Sequence, residues 1–113
     1  MTVIGGIRSS VTLLIAGALL LPLPGHAGVD EGKALYEKQC KICHTIGGEG
    51  GKMADKGGAL DGVGAKHDAA WLKAYLQDPK AKLPESKMPK MKLGDQQLDD
   101  LVAYLLTLKV AGK

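Results

Sequence analysis

Along residues 95–109, DQQLDDLVAYLLTLK, the apolar positions Leu98, Leu101, Val102, Leu105 and Leu108 recur at intervals of three and four. That spacing places them on one face of an α-helix. Asp95 at the start and Lys109 at the end complement the helix dipole. Leu93, just before Gly94, is positioned to pack on Leu98 as a hydrophobic staple. A second helix is predicted in VDEGKALYEKQCKICH. It opens on Asp30 and Glu31 and carries Leu35, Tyr36, Cys40 and Cys43 near helical spacing. A third, HDAAWLKAYLQDP, has Asp68 as N-cap and Pro79 as its stop. Its buried stripe is Trp71, Leu72, Tyr75 and Leu76.

Two stretches break this pattern. Eight of the 18 residues at 47–64 are glycine, which predicts a long loop held by something other than its own backbone pairing. KAKLPESKMPKMKLG holds two prolines and no clear period, so it reads as an extended, rigid loop. No stretch alternates like a strand, and no segment repeats. The expected architecture is all-α: three helices joined by two long loops.

The first residues follow a different pattern. MTVIGGIRSS carries Arg8 and no acid, a short apolar run follows at 11–21, and Gly25 and Ala27 are small. A positive start, an apolar middle and a small-residue exit are the parts of a secretory signal. The run falls short of the ~20 apolar residues that a membrane-spanning helix needs. The expectation is therefore a signal at residues 1–27, cleaved after Ala27, and one domain at 28–113. An uncleaved anchor is the alternative, because the apolar run extends towards Val3.

Composition changes the picture in two ways. The 86 residues that remain hold no Phe, one Trp and three Tyr, a thin supply of large apolar side chains. A domain this small often needs a staple beyond its own core. A covalently bound, mostly apolar cofactor is one such staple. Without Arg8, fourteen lysines face twelve acidic residues, a net charge of +2. That balance, with no arginine and few aromatics, excludes a nucleic-acid binder. The lysines are unevenly spread: Lys80, Lys82, Lys87, Lys90 and Lys92 crowd one loop against a single acid, Glu85.

Both cysteines of the chain lie in CKICH, residues 40–44. On a helix, positions i, i+3 and i+4 share a face, so Cys40, Cys43 and His44 can address one flat object. Haem suits them. Two thiols add to its vinyl groups, and the imidazole ligates iron from one side; C-x-x-C-H is the attachment pattern of c-type haem. Thiols held as thioethers also escape the disulfide that an oxidising compartment would otherwise impose. The competing readings are weaker. A thioredoxin-like pair needs a βαβ context that is missing here. Structural zinc needs a fourth ligand, and His67 is the only other histidine after the signal. A plain disulfide is the bland alternative.

Haem iron has a second axial position, for which methionine and histidine are typical. Met53, Met88 and Met91 are the candidates. Met88, stiffened by Pro89, is favoured, with Met91 next; ligation chemistry alone does not separate them.

These residues resemble the class I monohaem cytochromes c over essentially the whole domain. Gly32 and Tyr36 stand eight and four residues before Cys40, as the family's glycine and aromatic do. Leu101 and Tyr104 match the aliphatic and aromatic residues of its last helix, and Met88-Pro89 matches its methionine loop. The resemblance implies a small cytochrome c fold around one covalent haem c and its iron. In it, Cys40 and Cys43 form the thioethers, His44 is the proximal ligand and Met88 the distal one. One departure stands out. Gly57 to Leu60 reads GGAL, with Gly58 where the family has a proline whose carbonyl accepts from the proximal histidine. Trp71 is either a haem-lining aromatic or plain core, Tyr75 is core, and His67 has no assigned role.

The implied function is outer-sphere transfer of one electron, not enzymatic catalysis, in a bacterial periplasm. Donor and acceptor would be redox proteins docking at Lys80, Lys82, Lys87, Lys90 and Lys92, with a solvated lysine face as the counter-reading. Membrane association would arise only through a redox complex or an uncleaved signal. Two alternatives are a haem subunit of a larger redox enzyme and a ligand-binding haem protein with a labile methionine.

Overall fold

The computed structural model describes residue 17 and residues 27–110. The expected signal therefore lies outside the described residues, apart from Gly17 and the backbone of Ala27 at the expected cleavage site.

The first helix, α1, spans Ala27–Leu35 and runs into a π-helical turn, Tyr36–Cys40. A two-residue hairpin follows, β1 (Thr45–Ile46) and β2 (Glu49–Gly50). Two one-turn helices, α2 (Ala54–Gly57) and α3 (Val63–Lys66), lead to α4 (Ala69–Gln77). A further single turn, α5 (Pro79–Lys82), precedes the extended chain to the last helix, α6 (Asp95–Leu106).

The frame is the crossing of α1 and α6, the most extensive helix pair among the described residues. Glycine makes it possible. A Cβ on Gly32 would overlap the Asp100 carbonyl oxygen, and one on Gly28 would meet the Asp100 carboxylate at 2.9 Å. Beside this contact, the rings of Tyr36 and Tyr104 meet with centroids 5.9 Å apart. Leu98, Leu101, Val102 and Leu105 are buried against Tyr36, Cys40, Leu72 and Leu76. Burial of each such leucine is worth about 1.5–3 kcal/mol. Buried Asp100 accepts from Gln96 Nε2 at 2.8 Å, one turn away on the same helix.

The helix ends behave as their residues dictate. Asp68 accepts from the Trp71 amide at 2.8 Å, the expected N-cap bond. Gly94 has no side chain to accept from the Gln97 amide, so α6 has half a capping box: Gln97 Oε1 accepts from the Gly94 amide at 3.2 Å. Leu93 packs against the cluster that contains Leu98, as a staple would.

The two loops are more structured than their composition predicts. The glycine-rich stretch contains the hairpin and both one-turn helices. Its amides seek the carbonyls that the first helix leaves without partners. Gly51 donates to Lys41 O at 2.6 Å, Met53 to Ile42 O at 2.9 Å and Gly57 to Cys43 O at 2.7 Å. Pro79 ends α4 and also begins α5, where its missing N–H costs nothing. The expected rigid loop is thus helical for its first turn.

The tightness of the crossing gives a direct test. Gly32→Val should lower the unfolding free energy of the holoprotein by at least ~2 kcal/mol, the scale of an overpacked core. Denaturant titration reads it; an unchanged midpoint would mean the helices do not meet at Gly32.

Candidate haem-binding site

The motif stands where the first helix stops. Lys41 donates to Tyr36 O at 2.9 Å, a bond five residues long that marks the π-turn. The amides of Cys43 and His44 both reach Cys40 O at 3.0 Å. Cys40, Cys43 and His44 therefore keep one helical turn between them, although the regular helix ends at Cys40.

Tyr36 Oη donates to His44 O at 3.3 Å, and His44 Nδ1 lies 3.2 Å from Gly58 O. A carbonyl only accepts, so Nδ1 carries a proton, and in the neutral ring Nε2 keeps its lone pair. The ring is thereby set in the tautomer that a metal-ligating histidine requires. Gly58 supplies this carbonyl at φ +77°, a conformation closed to proline, whose ring fixes φ near −65°. The glycine at the family's proline position is thus required by the local backbone, and the carbonyl contact is kept.

Cys40 and His44 line a cleft with Leu60, Val63, Leu72, Leu76, Leu83 and Leu105. Met88 lines the same cleft; Met91 and Met53 do not. Met91 packs on the core and donates its amide to Leu76 O at 3.0 Å, whereas Met53 is 39% exposed. Cys43, beside His44, is half-buried and lies off the lining.

The cysteines are not bonded to each other. Burial first, and Cys43 second, push the Cys40 thiol up to about 11. Among the described residues, no three His, Cys, Asp or Glu side chains cluster as a metal site. An apolar slot, a neutral sulfur and an imidazole with a free Nε2 together fit a covalent haem.

A model of the cytochrome c family matches residues 29–109. The chain belongs to the cytochrome c family. Among its relatives, cytochrome c-550 of Nitrobacter winogradskyi is 34% identical over 106 residues, covering 75% of this chain and 94% of the relative. Cytochrome c2 of Rhodomicrobium vannielii is 30% identical over 115 residues, covering 83% and 91%. Among solved structures, SoxXA from P. pantotrophus superposes with a TM-score of 0.58 at 25% identity, over 72% of this chain and 81% of that one. The fold is the small cytochrome c fold, the cofactor is haem c with its iron, and the chemistry is haem-based electron transfer.

Three aromatic residues take positions that a helical stripe alone does not reveal. Trp71 and Tyr75 are half-buried and line the cleft. Tyr75 Oη is 2.8 Å from Ser86 Oγ, which accepts from the Met88 amide at 3.3 Å, so Tyr75 braces the methionine loop as well as filling space. His67, given no role by the sequence, lines the cleft too and stacks on Trp71, with centroids 3.5 Å apart. The spacing of His67, Trp71 and Tyr75, four residues apart each time, was the available signal.

The phenols imply a pH dependence. Burial foremost, then Tyr104, Cys40 and Asp61, raise Tyr36 above its ordinary 10.0. A raised acid keeps its full contribution to stability below 10.0 and loses it as pH climbs through the folded value. Wild-type stability should therefore fall above pH 10.0, and in Tyr36→Phe that alkaline decline should be shallower. Denaturation midpoints at a series of alkaline pH values check this, and parallel declines would refute it.

Proposed function

We propose that this chain is a periplasmic single-electron carrier, anchored to haem by Cys40 and Cys43 and ligated through His44 and Met88. The observation that carries the proposal is the convergence of Cys40, His44 and Met88 on one apolar cleft. Haem c, when bound, supplies a one-electron ferric/ferrous couple. The side chains do the rest. His44 presents Nε2 while Gly58 holds its other nitrogen. Met88 supplies a thioether sulfur, which favours the ferrous state. Leu72, Leu76 and Leu105 exclude water, so charge changes inside a poorly polarisable wall. With two protein ligands no coordination position stays open to substrate, which argues for a carrier rather than an enzyme.

Lys80, Lys82, Lys87, Lys90 and Lys92 are all exposed. Lys80, Lys87 and Lys90 border the same surface depression as Met88, with Asp78 the only acid on it. We assign this lysine rim to docking of acidic redox partners, donor and acceptor alike. The export pattern of residues 1–27 supports the periplasmic location. No helix among the described residues is long and apolar enough to cross a membrane.

Optical spectra test the ligand set. Oxidised wild type should show the weak far-red charge-transfer band of sulfur on ferric iron, and Met88→Ala should lose it. Reduced wild type should exclude carbon monoxide at neutral pH, while Met88→Ala admits it. A band that survives in Met88→Ala would remove Met88 from the proposal. The docking rim has a separate test in stopped-flow kinetics with a physiological partner. The second-order rate should fall by roughly tenfold as the Debye length shrinks from ~30 Å at 0.01 M to ~8 Å at 0.15 M salt. A rate indifferent to salt would exclude steering by these lysines.

A further inference from the structure

Asp100 is a buried carboxylate that the haem chemistry does not use. Among the described residues its side chain has one hydrogen-bond partner, the neutral amide of Gln96, whose Nε2 donates at 2.8 Å. The only ion pair among the described residues belongs to its neighbour: Lys73 meets Asp99 at 3.0 Å. A carboxylate taken out of water with no cation beside it is costly. The residue that faces Asp100 across the helix crossing is Gly28, in the first turn of α1. A Cβ on Gly28 would lie 2.9 Å from Asp100 Oδ1. With backbone bonds of about 1.5 Å, the Gly28 Cα is then within about 4.5 Å of that oxygen, and its nitrogen within about 6 Å. Gly28 is also the residue that follows Ala27, the expected end of the export segment.

We propose that Asp100 is the docking site of the processed N-terminus: the α-ammonium group of Gly28 pairs with its carboxylate and ties α1 to α6. The proposal rests on the export reading above, with cleavage after Ala27. A leader peptidase hydrolyses the Ala27–Gly28 amide bond. Water gives its hydroxyl to the Ala27 carbonyl carbon and a proton to the Gly28 nitrogen. The new Ala27 carboxyl group releases its proton, and one proton completes the ammonium, the charged form at neutral pH. Before cleavage, Asp100 meets only the partial charge of about +0.5 that a helix N-terminus carries. After cleavage it meets a full charge with three N–H donors. Rotation about the N–Cα bond, no longer restrained by a preceding peptide, aims one of them at the carboxylate.

Glycine at position 28 is what lets the pair form. Any other residue would press its Cβ on Asp100 Oδ1 and hold the helix end away. Asp30 and Glu31 lie in the same stretch of α1, but both are exposed, where water weakens an ion pair. Asp100 therefore holds the ammonium more firmly than they do. The consequence reaches the motif. The same residue, Asp100, sets the approach of Gly32 through its carbonyl oxygen, and so the line along which α1 delivers Cys40. A chain that still carries its leader lacks this tie, and the processed chain has it.

The haem-loaded protein, exported under its own leader, provides the test. Its intact mass should show Gly28 as the first residue; any other first residue would overturn the export reading and this inference together. With Gly28 first, a double-mutant cycle examines the pair itself. One change inserts three serines between Ala27 and Gly28, checked by mass to begin at serine, which carries the ammonium about 4.5 Å further along the helix axis. The other change is Asp100→Asn. In denaturant titration the insertion should raise the equilibrium constant for unfolding about tenfold where Asp100 is present, and less than about twofold in the Asp100→Asn background. An equal effect in both backgrounds would overturn the ion pair and leave the export reading standing. Amide hydrogen exchange needs no change at Asp100. The α1 amides should exchange about tenfold faster in the insertion protein than in wild type, and equal rates would overturn the inference.

Discussion

The close approach of α1 to α6 is the constraint on which everything else rests. Two positions one turn apart, Gly28 and Gly32, leave no side chain between the helix and Asp100. That crossing puts Tyr36 and Cys40 against Leu98, Leu101 and Leu105. It also fixes where the first helix ends, and therefore where the motif turns. The glycine-rich chain then satisfies the carbonyls of Lys41, Ile42 and Cys43 and brings Gly58 to His44. Backbone chemistry at a helix terminus thus wraps a loop around the ligand it must orient.

The thin supply of large apolar side chains now has a physical account. Leu72 and Leu76 are buried in the protein core and also line the cleft, where their neighbours Trp71 and Tyr75 stay half-buried. Helix α4 serves two clients: α6 and the cofactor cleft. A domain with no Phe can remain small because part of its interior is made of porphyrin.

Periodicity made the regular elements legible. The apolar face of α6, the Asp68 cap and the positions of Cys40 and His44 all follow from local spacing. Met88 could be separated from Met91 by the prolines and the family pattern, and the cleft contains Met88 alone of the two. The hairpin was hidden in the glycine run, although Thr45 pairs with Gly50 and Ile46 with Glu49 across Gly47 and Gly48; α2 and α3 were not legible because Met53, Gly57 and Gly64 bond the carbonyls of Ile42, Cys43 and Leu108, which lie outside those turns. Pro79 was legible as a stop but not as a start, since both roles use the same missing N–H. The places of His67 and Tyr75 escaped for a different reason. A buried stripe records contact with anything that excludes water, and the amino-acid sequence does not spell out a surface contributed by a cofactor.

The chain around Met88 has a mechanical consequence. It is clasped to α4 at two points: the Tyr75–Ser86 hydroxyl pair before the methionine and the Met91 amide on Leu76 O after it. Both clasps sit on one helix, at the adjacent residues Tyr75 and Leu76. The six residues 86–91 therefore form a cassette strung across a rigid bar, separable from the crossing that carries Cys40 and His44. New sequences between the two clasps can be grafted in, and the chemistry offered to the far side of the cleft rewritten, while the frame of the fold stays as it is.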